Sequence, residues 1–407
     1  MVMEQDYLFW QMVDELVIKQ QFNIIRLSED QREVWLEPRK NKQYGILRLK
    51  RYDVDWGNWL ANDLEEAATI FESLRKQSQK RSFHVLNVYI STYPPVDDFP
   101  LGLSEPFKDQ QTGKTTVTSV FMDKENKFQE PFPELENFLQ KKVRDLVPTK
   151  EVGFDEVQKL KFKVLSYSNQ RVKEERKVFE YGKPLFTYFF IGLQVFMFLL
   201  LEFYGGSTNT ETLVQFGAKF NPLIAEGEWW RFFTPIVLHI GMLHLFMNSL
   251  ALLYVGSAVE KIYGSTRFLV IYLLAGVAGT IASFAFSPSV SAGASGAIFG
   301  CFGALLYLGI VLPKLFFRTL GSNILVVVGI NLALGFVIPG IDNAGHLGGL
   351  IGGFLAAVVV QLPKQNKFIL RAIAIALTIF LLTSMYGYGK SQTETQLQQY
   401  RSMTNSL

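Results

Sequence analysis

Residues 287–312 read SPSVSAGASGAIFGCFGALLYLGIVL, and the fold turns on how the serine at 295 is read. From Ser295 onward the stretch is uncharged for 18 residues. As a helix that is roughly 27 Å, slightly short of a hydrocarbon core of about 30 Å. The start of such a helix lies below the membrane surface, and SPSVSAGAS has to dip in to reach it. Irregular backbone at that depth is tolerated only where protein shields it or where it lines a wet cavity. Ser295, set between Gly293-Ala294 and Gly296, then has two readings. Small residues let two helices pack closely. Alternatively, Ser295 is a nucleophile, and the glycines leave room for a peptide carbonyl and for free backbone N–H groups.

The same length rule, about 20 apolar residues per crossing, finds six more spans at 184–204, 234–256, 266–287, 319–338, 344–362 and 368–387. Lys and Arg in the connections set the orientation. Arg171, Lys173, Arg176, Lys177 and Lys183 precede span one, and Lys261 and Arg267 join spans two and three. Lys314 and Arg318 join four and five, and Lys364, Lys367 and Arg371 join six and seven. The alternate connections hold only Lys219 and Arg231, both between spans one and two. The N-terminus is therefore expected in the cytoplasm and the C-terminus outside.

The expected architecture is an α-helical polytopic membrane protein of seven transmembrane helices with an N-terminal soluble α/β domain. Residues 1–165 form the cytoplasmic domain, 166–183 a charged linker, 184–387 the membrane part with its seventh helix at 368–387, and 388–407 an external polar tail. A net charge of +3 gives no reason to expect a nucleic-acid partner. The single cysteine, Cys301, lies in an apolar stretch, reads as packing, and excludes a disulfide framework. The first twenty residues lack the apolar core of a secretory signal.

Within the soluble part, pattern predicts an amphipathic helix near 4–19, strands at 22–27, 32–37 and 44–51, a helix over 57–79, and strands at 83–91 and 115–123. That order is similar to the core of restriction-endonuclease-like folds. The acidic and lysine residues that would hold a metal there are not evident in REVWLEP or YGILRLKR. Gly113-Lys114-Thr115 resembles the end of a phosphate loop whose first glycine is missing, so a turn is the better reading. Asp97-Asp98 and His84 offer an ion site, against a solvated loop as the default. Regulation by a ligand or a cytosolic partner is the expected role of this domain.

Polar side chains inside a bilayer are costly and usually functional. Three of the four histidines, His239, His244 and His346, fall in the membrane part with Ser295, Asn248 and Asn331. His244 and Asn248 sit at i and i+4 on one helix face. His239 faces partly elsewhere and reads as structural. Spans two, four and six run in the same direction, so Ser295, His346 and His244 lie toward one outer side. Gly345, Gly349 and Gly353 recur at four-residue spacing, as do Gly296 and Gly300. Such faces let spans four and six approach until Ser295 and His346 are within hydrogen-bond reach. A serine and a histidine so placed form an acyl-transfer dyad. The Ser295 backbone N–H, with His244 and Asn248, is a donor set for the oxyanion.

These residues also carry a family pattern. Glu228-Trp229-Trp230-Arg231 is similar to a W-R pair, His244 to Asn248 reads H-x-x-x-N, and GSAVEKIYGSTRF supplies Gly256, Glu260, Gly264 and Arg267. Gly293 to Gly296 reads G-x-S-G, followed by His346, Gly349 and Gly353 as H-x-x-G-x-x-x-G. Over about 180–390 the chain resembles a rhomboid intramembrane serine protease of bacterial type, with six core helices plus one. The resemblance implies Ser295 as nucleophile, His346 as general base, and His244, Asn248 and the Ser295 backbone as oxyanion donors. It makes Trp230 and Arg231 structural residues of the first external loop. Members often carry a tyrosine four residues after the serine; Phe299 stands there and keeps the ring without the hydroxyl. Gly345 stands where alanine is usual.

The implied reaction is hydrolysis of a peptide bond in or beside a transmembrane helix of another membrane protein, at a site unwound by small or helix-breaking residues. It needs no metal and no cofactor. A catalytically silent binding or chaperone-like relative is the first rival. A metal enzyme or transporter using the three histidines lacks H-E-x-x-H and any carboxylate beside them. A channel or transporter is unsupported by any inverted repeat or row of intramembrane charges.

Overall fold

Apolar residues at Leu8, Phe9, Met12, Val13 and Leu16 share one stripe of α1 (Val2–Asp14) and its wider final turn, Glu15–Lys19. The computed structural model describes residues 2–38, 44–77, 81–97, 105–109, 112–123, 132–338 and 340–404, and divides into two units, Met1–Glu174 and Glu175–Leu407. In the first unit α1 covers one face of a six-stranded sheet ordered β1-β2-β3-β4-β6-β5. The strands are β1 (Asn23–Leu27), β2 (Glu33–Glu37), β3 (Ile46–Arg51), β4 (Phe83–Ser91), β5 (Phe107–Lys108) and β6 (Thr115–Asp123). β1 to β3 are antiparallel, whereas β4 pairs in parallel with β3 and β6. β4 alternates as a strand buried on both faces must. Leu86, Val88 and Ile90 join the cluster on α1, while Phe83 and Val85 join Leu64 and Phe71 of α2 (Gly57–Gln77).

The predicted order of helix, three strands, helix and strand is present. A polar cluster that the strand sequences did not suggest lies beneath α2. Buried Arg48 of β3 donates to both Asp63 oxygens at 2.6 and 3.0 Å and to Glu33 at 2.8 Å. Lys50 ion-pairs with Asp63, and the Tyr89 hydroxyl donates to Asp63 at 2.7 Å. Two carboxylates and two cations converge there, and their charges offset one another. Residues 112–114 of the phosphate-loop fragment form a turn with Gly113 at φ 63°; Gln110 and Gln111 lie outside the described residues. The Asp97 carboxylate accepts the Gly57 N–H, His84 is exposed, and Asp98 lies outside the described residues. No group of three or more His, Cys, Asp or Glu able to hold a metal ion occurs among the described residues.

After α3 (Pro133–Leu139) comes α4 (Phe154–Phe179), so most of the segment read as a charged linker, 166–183, is helical. Val157 and Val164 are buried in the α1 cluster with Leu160 and Tyr167 against it, and this apolar stripe extends the helix through the charged residues.

The second unit is a helical membrane domain. Among the described residues five helices are long and apolar enough to cross a bilayer: α5 (Leu185–Tyr204), α6 (Met242–Tyr263), α7 (Ser265–Phe286), α11 (Asn343–Val360) and α12 (Phe368–Thr404). Between them lie α8 (Ser295–Val311), which is shorter, and the pair α9 (Pro313–Thr319) and α10 (Gly321–Val337), bent by 72°. That makes seven apolar stretches among the described residues, as expected, but two of the spans have different bounds. Residues 234–241, read as the start of span two, are not part of its helix. Thr234–Val237 is a 3-10 turn containing Pro235, and Gly241, at φ 79°, precedes the first residue of α6. Hydropathy cannot separate an apolar loop from an apolar helix, whereas proline and a positive-φ glycine can. The other end reaches Tyr263 through a wide turn at Leu252–Gly256, and Gly264 turns the chain into α7. The polar tail is the second difference: α12 stays helical from residue 388 to Thr404.

α7 is the central helix, with 72% of its apolar window buried. It packs with α8 and α11 through small residues. A Cβ placed on Gly349 would meet the Gly296 carbonyl at 2.0 Å, and one on Gly353 would meet that of Gly300 at 2.1 Å. Only hydrogen fits between these backbones.

Candidate active site

Ser295 is the first residue of α8, where helical N–H groups lack intrahelical acceptors and the dipole is positive. His346 lies in the first turn of α11. Asp342 caps that helix by accepting the Gly345 N–H at 2.9 Å, which fixes the backbone one residue from the imidazole. With the glycines closing α8 on α11, Ser295 Oγ and His346 Nε2 stand 2.9 Å apart. His346 Nδ1 is buried and has no hydrogen-bond partner among the described residues, so no described carboxylate bonds the far side of the imidazole. Phe299, one turn after Ser295, stacks on the imidazole at 4.3 Å between ring centroids and 13° between planes. The ring therefore buttresses His346 without a hydroxyl.

Gly293 meets two demands at once. Its φ of 148° lies in the region that favours glycine, and an added Cβ would sit 2.6 Å from His244 Cε1. His244 is thus packed directly on the backbone that leads into Ser295. It occupies the first turn of α6, because that helix begins at Met242 and not at the predicted residue 234. Asn248, one turn on, donates Nδ2 to the His244 carbonyl at 2.9 Å. Its other amide hydrogen is not used by that bond.

His239 is fully buried before α6, with its ring 5.3 Å from that of His244. Its Nε2 accepts the Ala294 N–H at 3.4 Å, and the Pro235 carbonyl accepts the Gly293 N–H at 2.9 Å. The residues that shape the approach to Ser295 therefore come largely from the segment before α6. Arg231 is buried there, held by Glu228 at 2.6 Å and donating to the Val214 and Ala218 carbonyls at 2.7 and 2.9 Å. Trp230 beside it is partly exposed and packs edge-on to Trp229. Glu260 takes the N–H groups of Leu185, Phe186 and Thr187, each at 2.9 Å, and so caps α5. Asp342, Pro235 and the buried Lys219 belong to no motif read from the sequence; only their local turns and caps hint at them.

A serine hydroxyl hydrogen-bonded to an imidazole, at a helix N-terminus with the polar side chains of His244 and Asn248 nearby, is an arrangement for nucleophilic acyl transfer. Fold and site together define a polytopic membrane protein with a serine–histidine pair set in its helical core. The sequence model of the Rhomboid domain family matches residues 226–363. "Rhomboid protease GluP" of Bacillus subtilis (strain 168) is 45% identical over 388 residues, covering 94% of this chain and 75% of that protein. "Putative rhomboid protease YdcA" of the same strain is 35% identical over 151 residues, 37% of this chain and 76% of that one. "RHOMBOID-like protein 5" of Arabidopsis thaliana is 34% identical over 163 residues, 39% of this chain and 52% of that one. The chain belongs to the rhomboid family and is an intramembrane serine protease.

Proposed function

We propose that the protein cleaves peptide bonds in or beside the transmembrane helices of other membrane proteins through a Ser295–His346 dyad. The observation that carries this reading is the 2.9 Å contact between Ser295 Oγ and His346 Nε2 at the starts of two packed helices. His346 Nε2 takes the hydroxyl proton as Ser295 Oγ attacks the scissile carbonyl, then returns it to the leaving amine. The oxyanion is met by the Ser295 backbone N–H, His244 and the free amide hydrogen of Asn248. Trp230 and Arg231 hold the preceding segment, Phe299 orients the imidazole, and Gly293, Gly296, Gly349 and Gly353 provide the close approach. Water then hydrolyses the acyl-enzyme from the outer side.

In this reading the N-terminal domain, residues 1–165, lies in the bacterial cytoplasm, the remainder of the chain crosses the plasma membrane, and residues 388–407 lie outside. The basic residues between alternate spans support that orientation. That orientation assigns the N-terminal domain and the cleavage to opposite sides of the membrane, which suits control by a cytosolic ligand or partner rather than a grip on the cut peptide. Substrates are transmembrane proteins whose helices unwind at small or helix-breaking residues.

The test is cleavage of a transmembrane substrate by the full chain in lipid. Ser295→Ala and His346→Ala should each lower the rate at least about a thousand-fold while remaining folded. Retained cleavage in either sinks the dyad and favours a silent, binding role for these residues.

A further inference from the structure

Lys219 is the least expected residue near the site. Its side chain is fully buried, although an ammonium out of water is among the costliest groups a fold can hold. Its ammonium hydrogen bonds go to the segment that delivers Ser295. Nζ donates to the carbonyl of Ser287 at 2.6 Å and to that of Ser289 at 2.9 Å. The Lys219 backbone also pairs with Ser291 in both directions, at 2.9 and 3.1 Å. Two residues on, Asn221 Nδ2 donates to the carbonyls of Phe284 and Ser287 at 3.3 and 3.1 Å. The carbonyl of Ala218, just before Lys219, accepts from Arg231 Nη1 at 2.9 Å.

These contacts make one connected path. Glu228 holds Arg231, Arg231 holds Ala218, and Lys219 holds residues 287–291. The Gly293 and Ala294 N–H groups are then fixed by Pro235 and His239, and the next residue is Ser295. Apart from the Lys219–Ser291 bridge, residues 287–294 have no ladder or helix of their own, and they include Pro288, which cannot donate. Their carbonyls need donors, and one cation supplies two of them with charge-assisted bonds.

We propose that Lys219 is a positioning residue of the proteolytic reaction. Its ammonium sets the path of residues 287–294 and so the placement of the Ser295 hydroxyl and backbone N–H. It acts through the backbone and does not touch the substrate. The inference rests on the Ser295–His346 reading above.

The experiment compares wild type with Lys219→Met, Lys219→Gln and Lys219→Arg, each as the full chain in proteoliposomes. It measures kcat and KM for a transmembrane substrate, the rate of Ser295 labelling by a fluorophosphonate, and thermal unfolding. Lys219→Met, which keeps length and loses both bonds, should lower kcat and the labelling rate together by roughly 30-fold with KM unchanged. Lys219→Gln should fall between it and wild type, and Lys219→Arg should recover most of the loss. Folded Lys219→Met that labels and cleaves at the wild-type rate overturns the proposal, as does a loss confined to KM. If Lys219→Met does not fold, Lys219→Gln decides, and wild-type labelling in that variant overturns the proposal equally. Failure of the wild type itself to label at Ser295 would instead refute the dyad.

Discussion

At the scale of single residues, the site depends on what is missing as much as on what is present. Gly293 has no side chain where the His244 ring needs space, and its φ is one that L-residues rarely adopt. Gly293→Ala should therefore cost at least about a hundred-fold in kcat/KM by displacing His244 or the Ser295 approach, with little loss of fold. Kinetics with a transmembrane substrate check this; an active Gly293→Ala enzyme would mean His244 need not lie there. Phe299 makes the opposite prediction. Because stacking on His346 needs only the ring, Phe299→Tyr should keep activity within a few-fold, and Phe299→Ala should lose roughly ten-fold or more as the imidazole loosens. The serine, both histidines and the glycines were legible in the sequence because intramembrane polarity and small-residue spacing are unusual against an apolar background. The supports were not: Lys219 reads as a loop cation and Asp342 as a loop acid until folding reveals what they hold. Asn248 was read as an oxyanion donor, and nothing in its spacing indicates that one amide hydrogen serves the His244 carbonyl.

At the scale of elements, helix pairing decides whether Ser295 and His346 meet. α8 and α11 meet where Gly349 faces the Gly296 carbonyl and Gly353 that of Gly300, with no room for a methyl group. Gly353→Val should destabilise the membrane domain by at least about 2 kcal/mol, because neither backbone can retreat without losing its packing on α7. Thermal unfolding in detergent measures it, and an unshifted midpoint would show that the pair tolerates separation. Most helices and strands could be drawn from hydrophobic period alone, and β4 and β6 fall at the predicted residues. The start of α6 could not, since residues 234–241 are as apolar as the helix they precede. The charge of 166–179 likewise concealed a helix whose anchoring stripe begins earlier, at Val157.

At the scale of the whole molecule, two units of different chemistry share one chain. In the N-terminal unit burial pushes the Asp63 carboxyl up, but Arg48, together with Lys50 and Tyr89, outweighs it and holds the group at about 2. A lowered folded value contributes stability above the ordinary value of 3.8 and loses it as pH falls toward 2. Acid unfolding of the N-terminal unit should accordingly sharpen between those values. Asp63→Ala, which removes two of the hydrogen bonds of buried Arg48 and leaves it Glu33 as carboxylate partner, should cost at least about 2 kcal/mol at neutral pH. Circular dichroism across that range checks both, and a flat acid profile would indicate that the network is not formed. Deleting residues 1–165 should leave cleavage intact while removing its response to cytosolic conditions, if that unit regulates and does not catalyse.

The proposed reaction depends on one atom, Ser295 Oγ, acting as a nucleophile activated by His346. The most direct measurement is mass spectrometry of the full chain, in lipid, after reaction with a fluorophosphonate. The adduct should map to Ser295 alone, vanish in Ser295→Ala and form far more slowly in His346→Ala. An adduct on another residue, or equal labelling of Ser295 in the His346→Ala variant, would contradict it.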